Sequence, residues 1–319
     1  METTTNLLAY TYKFVREILY ILPLSFVIKL GRAIALIVAC FCTREREISL
    51  TQLKFVFKNN LPEKKLKKLS YLTFANVGQI AMEAIIIKRL LKKDKEQFKF
   101  ISSTNRIVVE EIFQAKKSCL ALSGHIGCFE LLAAFYAADG IDVSVIGRAP
   151  NYELLDIFAK RLRKSYGIES IWREDSTSSR KIISAFKTGR VVAALIDQDT
   201  SIENAFAPFF GVDAAYPSSL ITLAVKYRIP IITSFIIREQ PYHHNVITDR
   251  IDYDPDSETV IQDILKTFSK RLEDLIIKYP EQWIWWHRRW RRRPGMDYNL
   301  HPETLPSTKD YLSWLNNQA

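Results

Sequence analysis

The sequence predicts an α/β protein, a mainly parallel sheet flanked by helices, entered through an apolar helical segment at the N-terminus. Three observations predict it. Between residues 118 and 278, strand-length apolar runs alternate with helical stretches, as parallel strands joined by crossover helices do. Two of those runs, 190–196 and 229–237, are almost continuously apolar, the mark of strands covered on both faces. Residues 7–42 are the most apolar part of the chain, interrupted by Pro23 and by Lys29, Gly31 and Arg32.

In the N-terminal segment, the pieces 18–28 and 33–42 each fall short of the ~20 residues that span a bilayer. Joined as one span they would bury Lys29 and Arg32 at roughly 2.5–3.5 kcal/mol each. Residues 1–45 are therefore expected to form an anchor lying in or dipping into a membrane. A tilted single span and a hairpin packed on the domain are the alternatives, and a signal peptide is disfavoured. Residues 46–300 are expected to form the catalytic domain and 301–319 a tail. Residues 44–99 read as helical and basic, with Leu61-Pro62-Glu63 marking a helix start and Leu66, Leu69, Leu72, Asn76 and Ile80 at helical intervals. The run Lys88 to Lys93 reads as a solvated charged face.

The stretch Ser123-Gly124-His125-Ile126-Gly127-Cys128-Phe129-Glu130 joins an apolar strand, 118–122, to an apolar helix, 129–138. Five positions on one helix would separate His125 and Glu130 by roughly 140° at ~3.6 residues per turn. They can meet only if His125 precedes the helix and the chain bends back, which Gly124 and Gly127 permit. An imidazole held by a carboxylate is a general base for a hydroxyl. Active sites of open α/β sheets lie beyond the carboxyl ends of strands, which strengthens the reading over an ordinary His–Glu contact.

Further elements follow in order: strand 141–147, helix 153–166, strand 168–172, helix 176–187, strand 190–196, helix 217–227, strand 229–237 and helix 258–278. Their strand ends carry chemistry. Gly147-Arg148 offers a forked guanidinium suited to phosphate or an oxyanion. Asp197-Gln198-Asp199 closes the next apolar strand, where its carboxylates would orient Arg148 or substrate; two Asp alone make a poor metal site. In Pro208-Phe209-Phe210-Gly211 the aromatics are candidates for the wall of an apolar groove, with packing in the core the equal alternative. No Gly-x-Gly-x-x-Gly, Walker loop or Gly-x-Ser-x-Gly occurs, which removes most weight from nucleotide binding and hydrolase triads.

Composition narrows the partners. Forty-five Lys and Arg against 35 Asp and Glu leave a net charge of +10, favouring an anionic partner. Cys40, Cys42, Cys119 and Cys128 lack disulfide-scaffold or zinc-site spacing, so a reducing cytosolic environment is expected. Trp283, Trp285, Trp286 and Trp290 interleave with Arg288, Arg289, Arg291, Arg292 and Arg293. Such a segment can stack on single-stranded nucleic acid or sit at a membrane interface. The apolar N-terminus and the His motif favour the membrane.

Gly124-His125-x-Gly127-x-x-Glu130 resembles the His-x4-Asp/Glu signature of the lysophospholipid acyltransferase superfamily, and within it the bacterial lipid A late acyltransferases of the lauroyl and myristoyl transferase type. Gly147-Arg148, Asp197-Gln198-Asp199, Pro208-Phe209-Phe210-Gly211, Arg228-Ile229-Pro230-Ile231-Ile232 and Gln282 to Trp290 extend the resemblance over roughly residues 20 to 295. Cys128-Phe129 stands where family members commonly carry Asn-Trp; Asn can cap a helix and Cys cannot.

The resemblance implies a lysophospholipid-acyltransferase-like fold. It also implies transfer of a fatty acyl group from acyl carrier protein or coenzyme A to a hydroxyl of an anionic glycolipid, without cofactor or metal, at the cytoplasmic face of the inner membrane. On this reading His125 and Glu130 are catalytic, and Arg148, Asp197, Gln198, Asp199, Phe209 and Phe210 contact substrate. The acceptor hydroxyl attacks the thioester directly, Cys128 being the sole rival nucleophile. The alternatives are acylation of another glycolipid or phospholipid, or a non-catalytic membrane or nucleic-acid binder using the Trp/Arg segment.

Overall fold

The computed structural model describes residues 15–95, 97–114, 118–149, 160–161, 163–200, 204–295 and 306–318. Most of the expected helix 153–166 lies outside them. Helix α1 (Leu24–Phe41) begins directly after Pro23 and runs through Lys29, Gly31 and Arg32 without the expected break. It is long and apolar enough to cross a membrane by length and composition. Its continuity has a packing cause: α1 lies on α3 (Glu63–Ile85), and Gly31 meets Gly78 backbone to backbone. A Cβ on Gly31 would fall 2.5 Å from the Gly78 carbonyl oxygen, and one on Gly78 would fall 2.2 Å from that of Gly31. Arg32 is not stranded in apolar surroundings, because its guanidinium donates to Gln79 Oε1 at 3.0 Å.

Helix α2 (Thr43–Phe57) packs beside α3, and α4 (Arg106–Gln114) follows β1 (Ile101–Thr104). The large sheet then takes in β2 (Cys119–Ser123), β3 (Val143–Gly147), β4 (Glu169–Trp172), β5 (Val191–Leu195), β8 (Ile231–Gln240) and β9 (His243–Ile251). Its order is β1-β9-β8-β2-β5-β3-β4, and every neighbouring pair is parallel except β8 with β9. The mainly parallel α/β expectation is met. Strands β1 and β9 were not foreseen, and His244 lies in β9 with its side chain buried.

Successive residues of a strand face opposite sides, and β2 shows both cores. Leu120 and Leu122 point toward α8 (Val260–Lys278), with Phe268 and Leu272. Cys119 and Ala121 point toward α5 (Phe129–Ala138), with Leu131 and Phe135. Helices α6 (Ser178–Lys187) and α7 (Ser219–Lys226) complete the crossovers. A separate hairpin, β6 (Asn204–Phe209) and β7 (Val212–Pro217), turns at Phe210-Gly211 with φ of 50° and 80°. Positive φ at both turn residues suits a two-residue hairpin loop. Pro217, expected to open a helix, ends β7 instead.

After α8 the chain continues as an irregular, turn-rich segment, and most of the Trp/Arg stretch is buried in it. This leaves Trp286, Arg288, Arg291 and Arg293 part-exposed, instead of the whole stretch at the surface. Trp283, Trp285 and Trp290 are at most 1% exposed and Arg289 is fully buried. The indole of Trp285 donates to the Pro280 carbonyl and that of Trp290 to the Phe209 carbonyl. Arg289 lies 4.0 Å over the Tyr216 ring and donates to the Ala215 carbonyl. Three of the four Trp rings are spent on packing and are not free to stack on nucleic acid. Gln52 of α2 ties the segment down: it donates to the carbonyls of Trp285 and His287 and accepts from the Arg289 amide and from Tyr311 of α9 (Thr308–Asn316).

Candidate active site

The site forms where β2 and β5 end side by side. Their register pairs Ser123 with Leu195, so the residues two places further on, His125 and Asp197, emerge opposite each other. Two backbone constraints shape the His125 turn. The Ile126 amide donates to the Gly124 carbonyl, closing a three-residue turn. Gly127 has φ +60°, and a Cβ there would lie 1.7 Å from the Ile236 carbonyl oxygen, so no other residue fits.

His125 Nδ1 donates to Asp197 Oδ1 at 2.7 Å, and the His125 amide donates to Oδ2 at 2.8 Å. The Trp283 indole donates to the same Oδ2 at 2.8 Å. Burial would push the Asp197 carboxyl up, but the His125 charge and these hydrogen bonds outweigh it and hold the group at about 2. With Nδ1 carrying the proton toward Asp197, Nε2 is the free lone pair of a part-exposed imidazole. That arrangement can take a proton from a hydroxyl and stabilise the imidazolium that results.

The expected His125–Glu130 pair is therefore not formed. Glu130 lies in the first turn of α5, and its carboxylate takes both bonds from Arg163, Nη2 at 2.6 Å and Nε at 3.2 Å. Arg163 Nη1 is buried with no hydrogen-bond partner among the described residues. Arg163 escaped the sequence reading because nothing local marks it among the basic residues of its helix. Arg148, expected to be oriented by Asp197, is 64% exposed and lies 3.9 Å from Glu174. Asp197 cannot reach it because three donors already occupy the carboxylate.

Gln198 Nε2 donates to His287 Nε2 at 2.6 Å. The His287 ring stands 5.8 Å from that of His125, and burial, reinforced by the His125 charge, drives it down to about 4. Asp199 accepts from Arg291 at 3.0 Å and faces Arg292 at 3.3 Å. Phe209 is fully buried against Trp283 and Trp290, so it is core and not the wall of a groove; Phe210 is half-buried in the hairpin turn, its amide donating to Glu273. Cys128 is fully buried, and burial, with Glu83 nearby, pushes its thiol well up. A buried neutral thiol is no nucleophile. Among the described residues no cluster of His, Cys, Asp and Glu could hold a metal ion.

A narrow apolar cavity of about 50 Å³ lies between α5 and the sheet, next to this site but lined by neither His125 nor Asp197. Ser123, Glu130 and Arg163 stand at the strand-end mouth, and Phe129, whose ring meets the His125 ring edge-on at 5.1 Å, forms part of its wall. Small side chains, Ala121, Ala133 and Ala193, leave the space open, and Tyr136 and Ser234 lie at depth. From the level of Leu195 to that of Val191 the slot spans four strand residues, about 13 Å.

An imidazole paired with a carboxylate at the carboxyl ends of a parallel sheet, beside an apolar slot, is an arrangement able to take a proton from a hydroxyl. The chain belongs to the bacterial lipid A biosynthesis acyltransferase family, whose sequence profile matches residues 1–292. It is similar to the lipid A biosynthesis palmitoleoyltransferase of Escherichia coli (strain K12), 29% identical over 126 residues. It is equally similar to the lipid A biosynthesis acyltransferase of Shigella flexneri. Each match spans 38% of this chain and 40% of the relative.

Proposed function

We propose that the protein transfers a fatty acyl group from an acyl thioester, on acyl carrier protein or coenzyme A, to a hydroxyl of a glycolipid of lipid A biosynthesis. The observation that carries this reading is the His125–Asp197 pair, separated from the apolar slot only by Phe129, in a member of this acyltransferase family. The acceptor hydroxyl gives its proton to His125 Nε2 while its oxygen attacks the thioester carbonyl. Asp197 stabilises the imidazolium. The tetrahedral intermediate then expels the thiolate, which recovers the proton from His125, and an ester replaces the thioester. The acyl chain lies in the slot beneath α5.

Glu130 acts in this scheme by holding Arg163, whose unpartnered Nη1–H at the slot mouth is a donor for the thioester oxyanion. One such donor contributes roughly 2.7–4 kcal/mol in known acyl-transfer sites. Membrane attachment runs through α1 and the residues before it. Eight of the eleven large apolar side chains exposed among the described residues lie between Val15 and Phe41, a surface suited to the inner membrane. The test is mass spectrometry of glycolipid after incubation of purified protein with acyl thioester. Wild type should add one acyl chain and His125→Ala none, and equal acylation by folded His125→Ala would overturn the assignment.

A further inference from the structure

A second cleft shares a wall with the base. It measures about 270 Å³ and is lined by Arg44, Glu45, Trp286, His287, Arg288 and Arg291, with Asp199 at its floor. His287 both lines it and stands beside His125. Its charge is unbalanced. Asp199 is already shared between Arg291 and Arg292. Arg44 and Arg288 reach only neutral acceptors, the Thr308 hydroxyl and, for Arg288, also the Pro306 carbonyl. Neither has a carboxylate within ion-pair distance among the described residues. Burial weighs most against the charge on Arg288, and the charges of Arg291 and Arg44 add to it. An anion would relieve that crowding, and forked guanidiniums match the oxygens of phosphate.

The cleft also sits where a lipid headgroup would. Arg44 opens α2 three residues after Phe41, which ends α1 and is 81% exposed. A basic cleft beside an apolar helix end meets phosphate at headgroup depth while the apolar face meets the chains.

We infer that Arg44, Arg288 and Arg291 bind a phosphate group on the acceptor glycolipid and so present its hydroxyl to His125. The inference rests on the acyl-transfer reading of His125. Phosphate could also arrive with the donor, as the phosphopantetheine or coenzyme A moiety, and the kinetic arms separate the two.

The experiment compares a phosphorylated glucosamine lipid with the same lipid after phosphatase treatment, using wild type, Arg44→Gln/Arg288→Gln and Arg288→Lys in the full chain. Charge-assisted hydrogen bonds imply that wild type prefers the phosphorylated lipid by about tenfold to a hundredfold in kcat/KM. The double variant should lose most of that preference through a raised KM for acceptor, with donor KM unmoved, which also reports an intact fold. Arg288→Lys should keep part of the preference. Equal use of both lipids by wild type, a preference retained in the double variant, or a shift in donor KM instead would overturn the inference. Absence of transfer to either lipid by wild type would instead overturn the acyl-transfer reading beneath it.

Discussion

Replacing Asp197 by asparagine separates the two carboxylates that could serve His125. Oδ2 accepts from both the His125 amide and the Trp283 indole at 2.8 Å, while Oδ1 accepts only from His125 Nδ1. An asparagine must keep its single oxygen at the Oδ2 position, because two fixed N–H donors point there. Its NH₂ then faces His125 Nδ1, and two donors cannot meet. The imidazole must move its proton to Nε2, which leaves an acceptor at Nδ1 and no base toward the substrate. The same tautomer switch cost ~10⁴ in turnover in a serine protease, and a loss of that order is expected here in kcat, with acceptor KM little changed. Steady-state rates on acyl thioester and glycolipid give the numbers, and circular dichroism checks the fold. Glu130→Gln should lose less, since it leaves the His125–Asp197 bond untouched. Folded Asp197→Asn within tenfold of wild type, or Glu130→Gln as inactive as His125→Ala beside an active Asp197→Asn, would refute the argument.

Other consequences follow from buried groups. Glu83 is completely buried and takes two bonds from Arg238, at 2.6 and 2.9 Å; Glu83→Leu strands that guanidinium and should cost ~3–5 kcal/mol in urea unfolding. Burial lowers His244 to about 4 from 6.5 and His287 likewise, so the unfolded chain binds more protons in that window. Stability should therefore fall as pH drops from 6.5 through 4, by ~1.4 kcal/mol per unit for each His, and His244→Leu should remove one proton from that slope. Asp197, held at about 2 against 3.8, adds a loss between those values as pH falls further. Ala193→Leu narrows the slot, and the kcat/KM ratio of long to short acyl donors should fall by about fourfold per excluded methylene; an unmoved ratio would take the slot out of the donor site. Deleting residues 1–42 should lower the unfolding midpoint as well as membrane binding, because it exposes the α3 face that carries Gly78 and Gln79.

The central strands and the position of the site were legible because both rest on local pattern. Apolar runs, glycine turns and polar residues at strand ends suffice to find His125 and Asp197. Their partnership was not legible, because it depends on strand register. Glu130 is five residues from His125 in sequence and Asp197 is 72, yet the Ser123–Leu195 pairing makes Asp197 the neighbour. A signal existed: each residue stands two positions beyond the strand that leads to it. In 243–251 a two-residue burial rhythm at His244, Val246 and Thr248 marks β9, but two of those three buried residues are polar and the part-exposed Ile247 between them is apolar, which hid it. The Trp/Arg segment misled for a different reason. Composition counts charges without saying that Arg289 lies buried over Tyr216 with a carbonyl acceptor.

That buried segment is what joins α1 to the His125 turn. Gly31 of α1 presses on Gly78 of α3. One turn earlier on α3, Asn76 donates to the Gln282 carbonyl and Thr73 to the Trp283 carbonyl. Trp283 in turn donates to Asp197, the Ile284 amide donates to the His125 carbonyl, and the Gly127 amide donates to the Gln282 carbonyl. Two backbone groups at the His125 turn, the His125 carbonyl and the Gly127 amide, are thus satisfied by a segment that α3 holds in place. The polar stripe Thr73, Asn76, Gln79 and Glu83 is buried for this reason: it faces the Gln282 and Trp283 carbonyls and the Arg238 guanidinium. A leucine stripe there would bury more apolar area and leave those groups unpaired, at ~1–3 kcal/mol for each. The cost of burying polar residues in α3 is offset by a site held rigid from both sides, by β2 and β5 below and by the 282–287 segment above.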